Sequence, residues 1–178
     1  PALLEGLNTA SAILRMWSQD TYRPLDIEPG EIASGADLRE KNRAGMLYSG
    51  GVASIASLRL NMINYPTSHP GRIRDCFFVH SFDIGGVVAR GMKYHVFERG
   101  LTAMKPVTDA AGAQAVPVYT NLRHLCDDRE LWLNRFFGAV LAAVAHAFAL
   151  RVDLFYIASS YDLGHLGPCG SHPLLDPE

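Results

Sequence analysis

The stretch Met46–Ser54, which reads MLYSGGVAS, decides the fold of this chain. A short apolar run, Met46–Tyr48, leads into the turn Ser49–Gly51, and apolar residues then recur with a helical period until Pro66. The order of strand, glycine turn and helix is typical of α/β proteins, whose parallel sheets carry such turns at the carboxyl ends of strands.

The same alternation of short apolar runs and helical periods continues along the chain. Helices are predicted over Leu3–Trp17, from Tyr94 to an end at Pro106, and from about Arg129 to Leu150 with Asp127 or Asp128 as the cap. Further strands are predicted at Cys76–His80, Val116–Tyr119 and Leu154–Ala158. Because each strand is apolar along its whole length, we predict an α/β fold: a Rossmann-like, doubly wound parallel sheet with helices on both faces.

Length and composition exclude several classes of protein. A chain of 178 residues with 48% apolar and 19% charged residues suffices for one globular core but not for two full domains. The formal net charge of −2, without any block of like charge, argues against DNA or an anionic membrane as a partner. The longest apolar run, Phe136–Ala145, extends to Leu150 only through His146 and is shorter than the roughly 20 residues that a membrane-spanning helix needs. Three cysteines, an odd number, favour a reducing compartment, so we expect a cytoplasmic protein.

The turn and the start of its helix, Ser49–Ser54, have the residues of an anion site. Glycines allow successive N–H groups to converge on a phosphate, the helix N-terminus adds the positive end of its dipole, and two serine hydroxyls can donate hydrogen bonds. The turn is neither the Walker pattern, since it lacks the Gly-Lys-Ser/Thr ending, nor the three-glycine dinucleotide fingerprint. The alternative interpretation is a tight strand-to-helix turn without a ligand.

The segment LYSGGVAS, residues 47–54, resembles the SGGxDS loop of the PP-loop ATP pyrophosphatase superfamily, the adenine nucleotide alpha-hydrolase-like proteins, at five of six motif positions. This superfamily includes the C-terminal domain of asparagine synthetase and 7-cyano-7-deazaguanine synthase. The resemblance implies a sheet of order 3-2-1-4-5, in which the third strand lies at an edge that tolerates Pro117. It also implies that ATP is cleaved to AMP and pyrophosphate to activate an acceptor, which a nitrogen or sulfur nucleophile then attacks. By this resemblance the loop binds ATP, and the leaving pyrophosphate is held by Ser49, Gly50, Gly51 and Ser54, with Val52 and Ala53 between them.

Ala53 departs from the pattern of the superfamily, which has aspartate at this position. A carboxylate beside phosphates is a natural ligand of Mg²⁺, the second cofactor that the resemblance implies. Three explanations stay open. The chain binds nucleotide but turns over poorly, another carboxylate such as Asp83 or Asp162 replaces the missing one, or the alanine was introduced into the sequence.

Polar residues after the other three strands complete the predicted site, because ligands of open parallel sheets bind at the carboxyl ends of strands. They are Asp83 after the second strand, Asn121 and Arg123 after the third, and Ser159, Ser160 and Asp162 after the fourth. We expect them to contact ATP, with Arg123 as a phosphate partner and Asp162 as a ligand of Mg²⁺. The alternatives are a loop salt bridge for Arg123 and a helix cap or turn for the residues after the fourth strand.

The predicted organisation is a helix and lead-in segment over residues 1–43 and a nucleotide-binding domain over residues 44–178. The ending GSHPLLD, residues 170–176, resembles a stretch of asparagine-synthetase-like proteins that continue with a helical part, so we expect a domain truncated at its C-terminus. The predicted function is that of the ATP-binding domain of an adenylate-forming ligase or amidotransferase, with ATP and a small-molecule substrate as partners and a homodimer as an open option. The alternatives are a nucleotide-binding module with impaired turnover and a regulatory or scaffolding role, and a Rossmann-like domain for another phosphorylated ligand.

Overall fold

A computed structural model describes residues 2–18, 26–31, 43–82, 84–85, 91–159 and 161–177 of the chain. The helices are α1 (Ala2–Ser18), α2 (Val52–Asn64), α3 (Tyr94–Ala111), α4 (Arg129–Leu131) and α5 (Phe137–Ala147), with a π-helical turn at Trp132–Phe136 and short 3₁₀ helices at Leu122–Leu125 and Leu163–His165. The strands are β1 (Ala44–Leu47), β2 (Ile73–Val79), β3 (Gln114–Val118) and β4 (Leu154–Ile157). The predicted alternation of strands and helices is confirmed.

The four strands form one parallel sheet in the order β3-β2-β1-β4. The first four positions of the predicted order 3-2-1-4-5 are matched, but the described residues contain no fifth strand beside β4. Pro117 belongs to β3 and lies opposite Phe78 of β2. The strand β3 is at the edge of the sheet and pairs only with β2. An edge strand tolerates proline because the missing N–H group would face no neighbour.

Both faces of the sheet are covered, as the apolar strands predict. One face packs against α2 and α3, and its buried members include Met46, Phe78, Leu58 and Phe97. The other face packs against α5, and its buried members include Leu47, Phe77, Leu141 and Val144. Successive strand residues alternate between these two layers because strand side chains have a period of two. The carboxyl ends of the strands are thereby fixed between two helical layers.

Two helices differ from the sequence prediction. The end of α3 at Pro106 is wrong, because α3 runs through this exposed proline to Ala111 and ends at Gly112, whose φ of 68° forms a left-handed cap. The long helix from Arg129 is interrupted by the π-helical turn, and its cap is Asp128, whose carboxylate accepts from the Leu131 N–H at 2.8 Å. Across the described ranges, no helix combines the length and the apolar character that crossing a membrane requires.

A fully buried carboxylate, Asp75, lies near the amino ends of the strands. Arg43 donates to it from Nε at 2.6 Å and from Nη2 at 2.9 Å, and Arg151 donates from Nε at 3.2 Å and from Nη2 at 2.9 Å. Burial alone would raise the pKa of Asp75, but the hydrogen bonds from the two arginines outweigh it and hold the pKa below its ordinary value. Since Arg43 precedes β1 and Arg151 precedes β4, one carboxylate ties together the starts of three neighbouring strands.

Candidate functional site

The glycine turn, defined here as Ser49–Ser54, connects β1 to α2 at the carboxyl edge of the sheet. Gly50 has a φ of 77°, a left-handed conformation that side chains other than glycine rarely adopt. A Cβ atom at this position would also lie 3.0 Å from Cγ and Sδ of Met104 on α3. The turn therefore requires glycine at residue 50 for its backbone and for its packing.

Hydrogen bonds draw the two serines of the glycine turn together. Ser49 Oγ accepts from the Gly51 N–H at 3.2 Å, Ser54 Oγ donates to the Gly51 carbonyl at 2.8 Å, and the two hydroxyl oxygens lie 3.4 Å apart. Gly51 caps α2 without a side-chain hydrogen bond, and the first bond within α2 runs from the Ile55 N–H to the Gly51 carbonyl at 3.0 Å. The N–H groups of residues 52–54 precede that bond and have no acceptor within the helix. They form the positive end of the helix dipole, which is the physical basis of an anion site.

A cleft opens beside the glycine turn along the carboxyl edge of the sheet. Its cavity volume is about 110 Å³, smaller than the roughly 300–1,000 Å³ of typical small-molecule sites. Ser49 and Ser54 line it, and a third serine, Ser171, reaches it from the residues after β4. The remaining lining is mostly apolar and includes Leu47, Val79, Phe82, Phe97, Phe137 and Ile157. Polar groups beside aromatic walls suit a ligand with a charged part and a flat, apolar part.

Ser171 reaches the cleft because the segment after β4 is fixed to the π-helical turn. The Gly170 N–H donates to the Leu133 carbonyl at 3.3 Å, an acceptor on the π-helical turn. Gly138, at the start of α5, lets this segment approach the helix backbone, since an ideal Cβ there would overlap the Gly170 carbonyl oxygen. Ser171 Oγ donates to Asp176 Oδ2 at 3.1 Å. The π-helical turn thus brings a residue distant in sequence to the site.

Three buried side-chain atoms in the described part of the chain have no hydrogen-bond partner: Tyr48 Oη, His80 Nε2 and Arg123 Nη1. Tyr48 directly follows β1, His80 directly follows β2, and Arg123 comes shortly after β3. Buried polar atoms are nearly always paired with protein or water. Of these three residues only Tyr48 lines the cleft, and a Cβ atom at Gly85 would lie 2.6 Å from His80 Nε2. Sequence reasoning missed Tyr48 and His80. The sequence feature that could have indicated them is a side chain with a polar end group at the last position of each apolar strand run.

His80 sits in a ring of aromatic side chains at the end of β2. Its ring stacks on Tyr94 with centroids 4.6 Å apart and 10° between the planes, and it meets the edge of Phe97 at 5.2 Å. Burial lowers the pKa of His80, and the nearby His124 lowers it further. Ser81, whose hydroxyl lies 2.8 Å from His80 Nδ1, has a φ of 70° and is the one non-glycine residue with positive φ among those described. Such strain is typical of functional sites and tight turns.

The other predicted site residues divide into those near the cleft and those occupied elsewhere. Arg123 is buried against Trp132, whereas Asn121 is exposed and its carbonyl accepts from the His124 N–H at 2.9 Å. Ser159 forms a local turn with Tyr161: its hydroxyl donates to the Tyr161 carbonyl at 3.1 Å and accepts from the Tyr161 N–H at 3.2 Å. Asp83 and Ser160 lie outside the described residues.

Asp162, the predicted Mg²⁺ ligand, caps the short 3₁₀ helix that follows it. Its Oδ1 accepts from the Gly164 N–H at 2.9 Å and from the His165 N–H at 3.1 Å, and it lies 2.8 Å from His165 Nδ1. Ala53 itself is half-buried and offers no oxygen from its side chain. The described residues that line the cleft include no carboxylate, and no three His, Cys, Asp or Glu residues cluster within the described ranges. The described lining therefore does not fit a carboxylate-held Mg²⁺.

Compared with protein-family models, with curated proteins and with solved structures, the chain matches none of them. The resemblance to the PP-loop superfamily therefore depends on the sequence motifs themselves, the glycine turn and the ending at residues 170–176.

Proposed function

We propose that the chain is the ATP-binding domain of an adenylate-forming ligase or amidotransferase of the PP-loop type. The glycine turn carries the proposal: a left-handed Gly50, two serine hydroxyls 3.4 Å apart and the N-terminus of α2 stand beside a cleft with aromatic walls. An anion site next to an apolar cavity corresponds to the two halves of a nucleotide.

In the proposed reaction, an oxygen of the acceptor attacks the α-phosphorus of ATP. The bond from that phosphorus to the bridging oxygen breaks, and pyrophosphate leaves with the electron pair. The N–H groups and hydroxyls of the glycine turn would stabilise the charge on the leaving pyrophosphate, because fixed dipoles need no reorganisation as the charge develops. A nitrogen or sulfur nucleophile then displaces AMP from the acceptor.

A second candidate function is a nucleotide-binding module without turnover, in a regulatory or scaffolding role. Ala53 and the lack of a carboxylate among the described cleft residues favour it. Both candidates require nucleotide binding at the glycine turn, and they differ in whether the bond between the α- and β-phosphates is broken.

Thermal unfolding with ATP, AMP or pyrophosphate, each with and without Mg²⁺, tests the binding that both candidates share. A ligand at about 100 times its dissociation constant stabilises the native state by about 2.7 kcal/mol. For a chain of this size that corresponds to a rise of roughly 5–10 °C in Tm. If none of the three ligands raises Tm, both candidates are wrong.

Exchange of labelled pyrophosphate into ATP separates the two candidates. When an acceptor is present to take up the adenylate, the ligase predicts exchange in the chain as it stands, whereas the binding module predicts none with any acceptor tried. Ala53→Asp restores the missing carboxylate and, if its loss is the lesion, should restore exchange by itself. Ala56→Asp is the matched control, because Ala56 is exposed on the same helix one turn further on. Equal exchange in both variants would show that the added charge, and not its position, is responsible.

A further inference from the structure

An arginine without a partner lies buried after β3. Arg123, in the 3₁₀ helix Leu122–Leu125, is only 7% exposed. Its Cζ atom lies 4.2 Å from the ring centroid of Trp132, which is itself buried. Nη1 of Arg123 has no hydrogen-bond partner, and none of the ion pairs found among the described residues includes this side chain.

A guanidinium in this position needs an anion. Arginine stays charged inside proteins, and a buried charge without a partner is strongly unfavourable. Stacking on Trp132 stabilises the face of the guanidinium but leaves the N–H groups of Nη1, which lie in the plane, without an acceptor. Those groups form the fork that binds oxyanions with two parallel hydrogen bonds.

The chain itself provides a contrast in Arg72, a second buried arginine. Arg72 donates from Nη1 to the Tyr65 carbonyl and from Nη2 to the Ala111 carbonyl, both at 3.0 Å. That arginine has a structural role because backbone carbonyls satisfy its N–H groups. Arg123 has the same burial without those acceptors.

Arg123 belongs to the same edge of the sheet as the glycine turn but not to the same place. It follows β3, whereas the glycine turn follows β1, and β2 lies between them. Two strand spacings amount to about 10 Å. Trp132 contacts Phe82 and Phe137 with ring centroids 5.6 Å apart in each pair, and both phenylalanines line the cleft. Neither Arg123 nor Trp132 lines the cleft itself, and Trp132 is connected to it through these two rings.

We propose that Arg123 and Trp132 form a second anion subsite, separate from the glycine turn, that binds an oxyanion of the acceptor substrate. A carboxylate is the form that the planar fork fits best. The assignment to the acceptor depends on the proposed ligase function, whereas the oxyanion subsite itself does not. A phosphate group of the nucleotide is the other source of an oxyanion, and the test separates the two.

The first measurement is the Tm of the unliganded variants. Because its charge lacks a partner, Arg123→Met should unfold at the same temperature as the unsubstituted chain or higher. Arg72→Met should unfold at a lower temperature, since it leaves two buried carbonyls without donors. A Tm of Arg123→Met lowered as far as that of Arg72→Met would overturn the proposal, because Arg123 would then have a structural partner.

The second measurement is the shift in Tm with sodium acetate or sodium phosphate against sodium chloride at equal ionic strength. At about five times its dissociation constant, the bound anion should raise Tm by about 2–4 °C. The acetate shift should disappear in Arg123→Met and persist in Arg74→Met, which removes a half-buried arginine of β2 that donates to the Thr67 carbonyl at 2.7 Å. A larger shift with acetate than with phosphate supports a carboxylate. No shift beyond that of chloride would overturn the proposal.

ATP provides the arm that separates this subsite from the glycine turn. Its shift should be retained in Arg123→Met, because its phosphates bind at the glycine turn. If the ATP shift disappears together with the acetate shift, Arg123 belongs to the nucleotide site and the second subsite is wrong. If acetate stabilises the chain through Arg123 while ATP has no effect, the oxyanion subsite stands and the proposed ligase function fails.

Discussion

Replacing Asp75 by asparagine should destabilise the fold without affecting the cleft. The substitution keeps the shape of the side chain and removes a charge that is fully buried between Arg43 and Arg151. Removing one partner of a buried ion pair costs about 3–5 kcal/mol. Here the arginine side chains are 27% and 37% exposed and can regain water, so we expect a loss of about 2–4 kcal/mol.

Urea unfolding followed by circular dichroism measures this loss, and the corresponding fall in Tm is roughly 5–15 °C. The control is Asp109→Asn, which breaks an exposed pair with Lys105 at 2.7 Å and should change the free energy of unfolding by less than about 1 kcal/mol. A loss for Asp75→Asn no larger than that of Asp109→Asn would refute the reasoning. Binding at the cleft should be unchanged, since Asp75 lies at the opposite end of the strands.

Asp75→Asn should also change how the free energy of unfolding depends on pH in acid. The folded pKa of Asp75 lies below its ordinary value of 3.8, so its contribution to stability is present above pH 3.8 and is lost as the pH falls through the folded pKa. Asp75→Asn should therefore flatten the acid limb of stability against pH. An acid limb as steep as that of the unsubstituted chain would contradict this assignment.

Three further predictions concern Gly138, His80 and Cys76. Gly138→Ala should displace the segment that carries Ser171, because its Cβ would overlap the Gly170 carbonyl. Amide hydrogen exchange over residues 166–177 should become faster, and unchanged exchange would contradict the close approach of Gly138 to Gly170. Burial and the nearby His124 lower the pKa of His80, so its contribution to stability should be present above pH 6.5 and be lost as the pH falls through its folded pKa. The free energy of unfolding in urea should therefore fall with pH in this range, and His80→Gln should remove this dependence between pH 5 and 8 (roughly the window of histidine titration). Burial raises the pKa of Cys76 to about 12, so a thiol reagent should label it only on unfolding, and rapid labelling of the native chain at this residue would show that the core is open.

Much of the fold was predictable because its signals are local. Apolar runs gave the four strands, and Pro117 correctly indicated an edge. The end of α3 at Pro106 was wrong because proline removes one hydrogen bond, whereas the apolar face continues at the same helical period through Thr108 and Ala111, both buried. An exposed proline within an otherwise amphipathic helix can therefore be overridden by packing.

The site was predictable only where its residues are contiguous. The glycine turn was visible because one short segment contains all of its donors. The unpaired atoms of Tyr48 and His80 were not, because pairing depends on which helices cover each strand end. Ser171 joins the cleft through a π-helical turn that no periodicity indicates.

The most direct test of nucleotide binding at the glycine turn compares ATP with adenosine by calorimetric titration. The two ligands share the base and ribose, so the difference in their Kd values reports on the phosphates. ATP should bind at least about tenfold more tightly, equivalent to about 1.4 kcal/mol. This advantage should shrink when Ser49→Ala and Ser54→Ala are combined, because the backbone N–H groups remain, and should persist undiminished in Ser57→Ala, a serine of α2 that does not line the cleft. Equal affinities for ATP and adenosine in the unsubstituted chain, or an advantage of ATP undiminished in the double variant, would contradict a phosphate site at this turn.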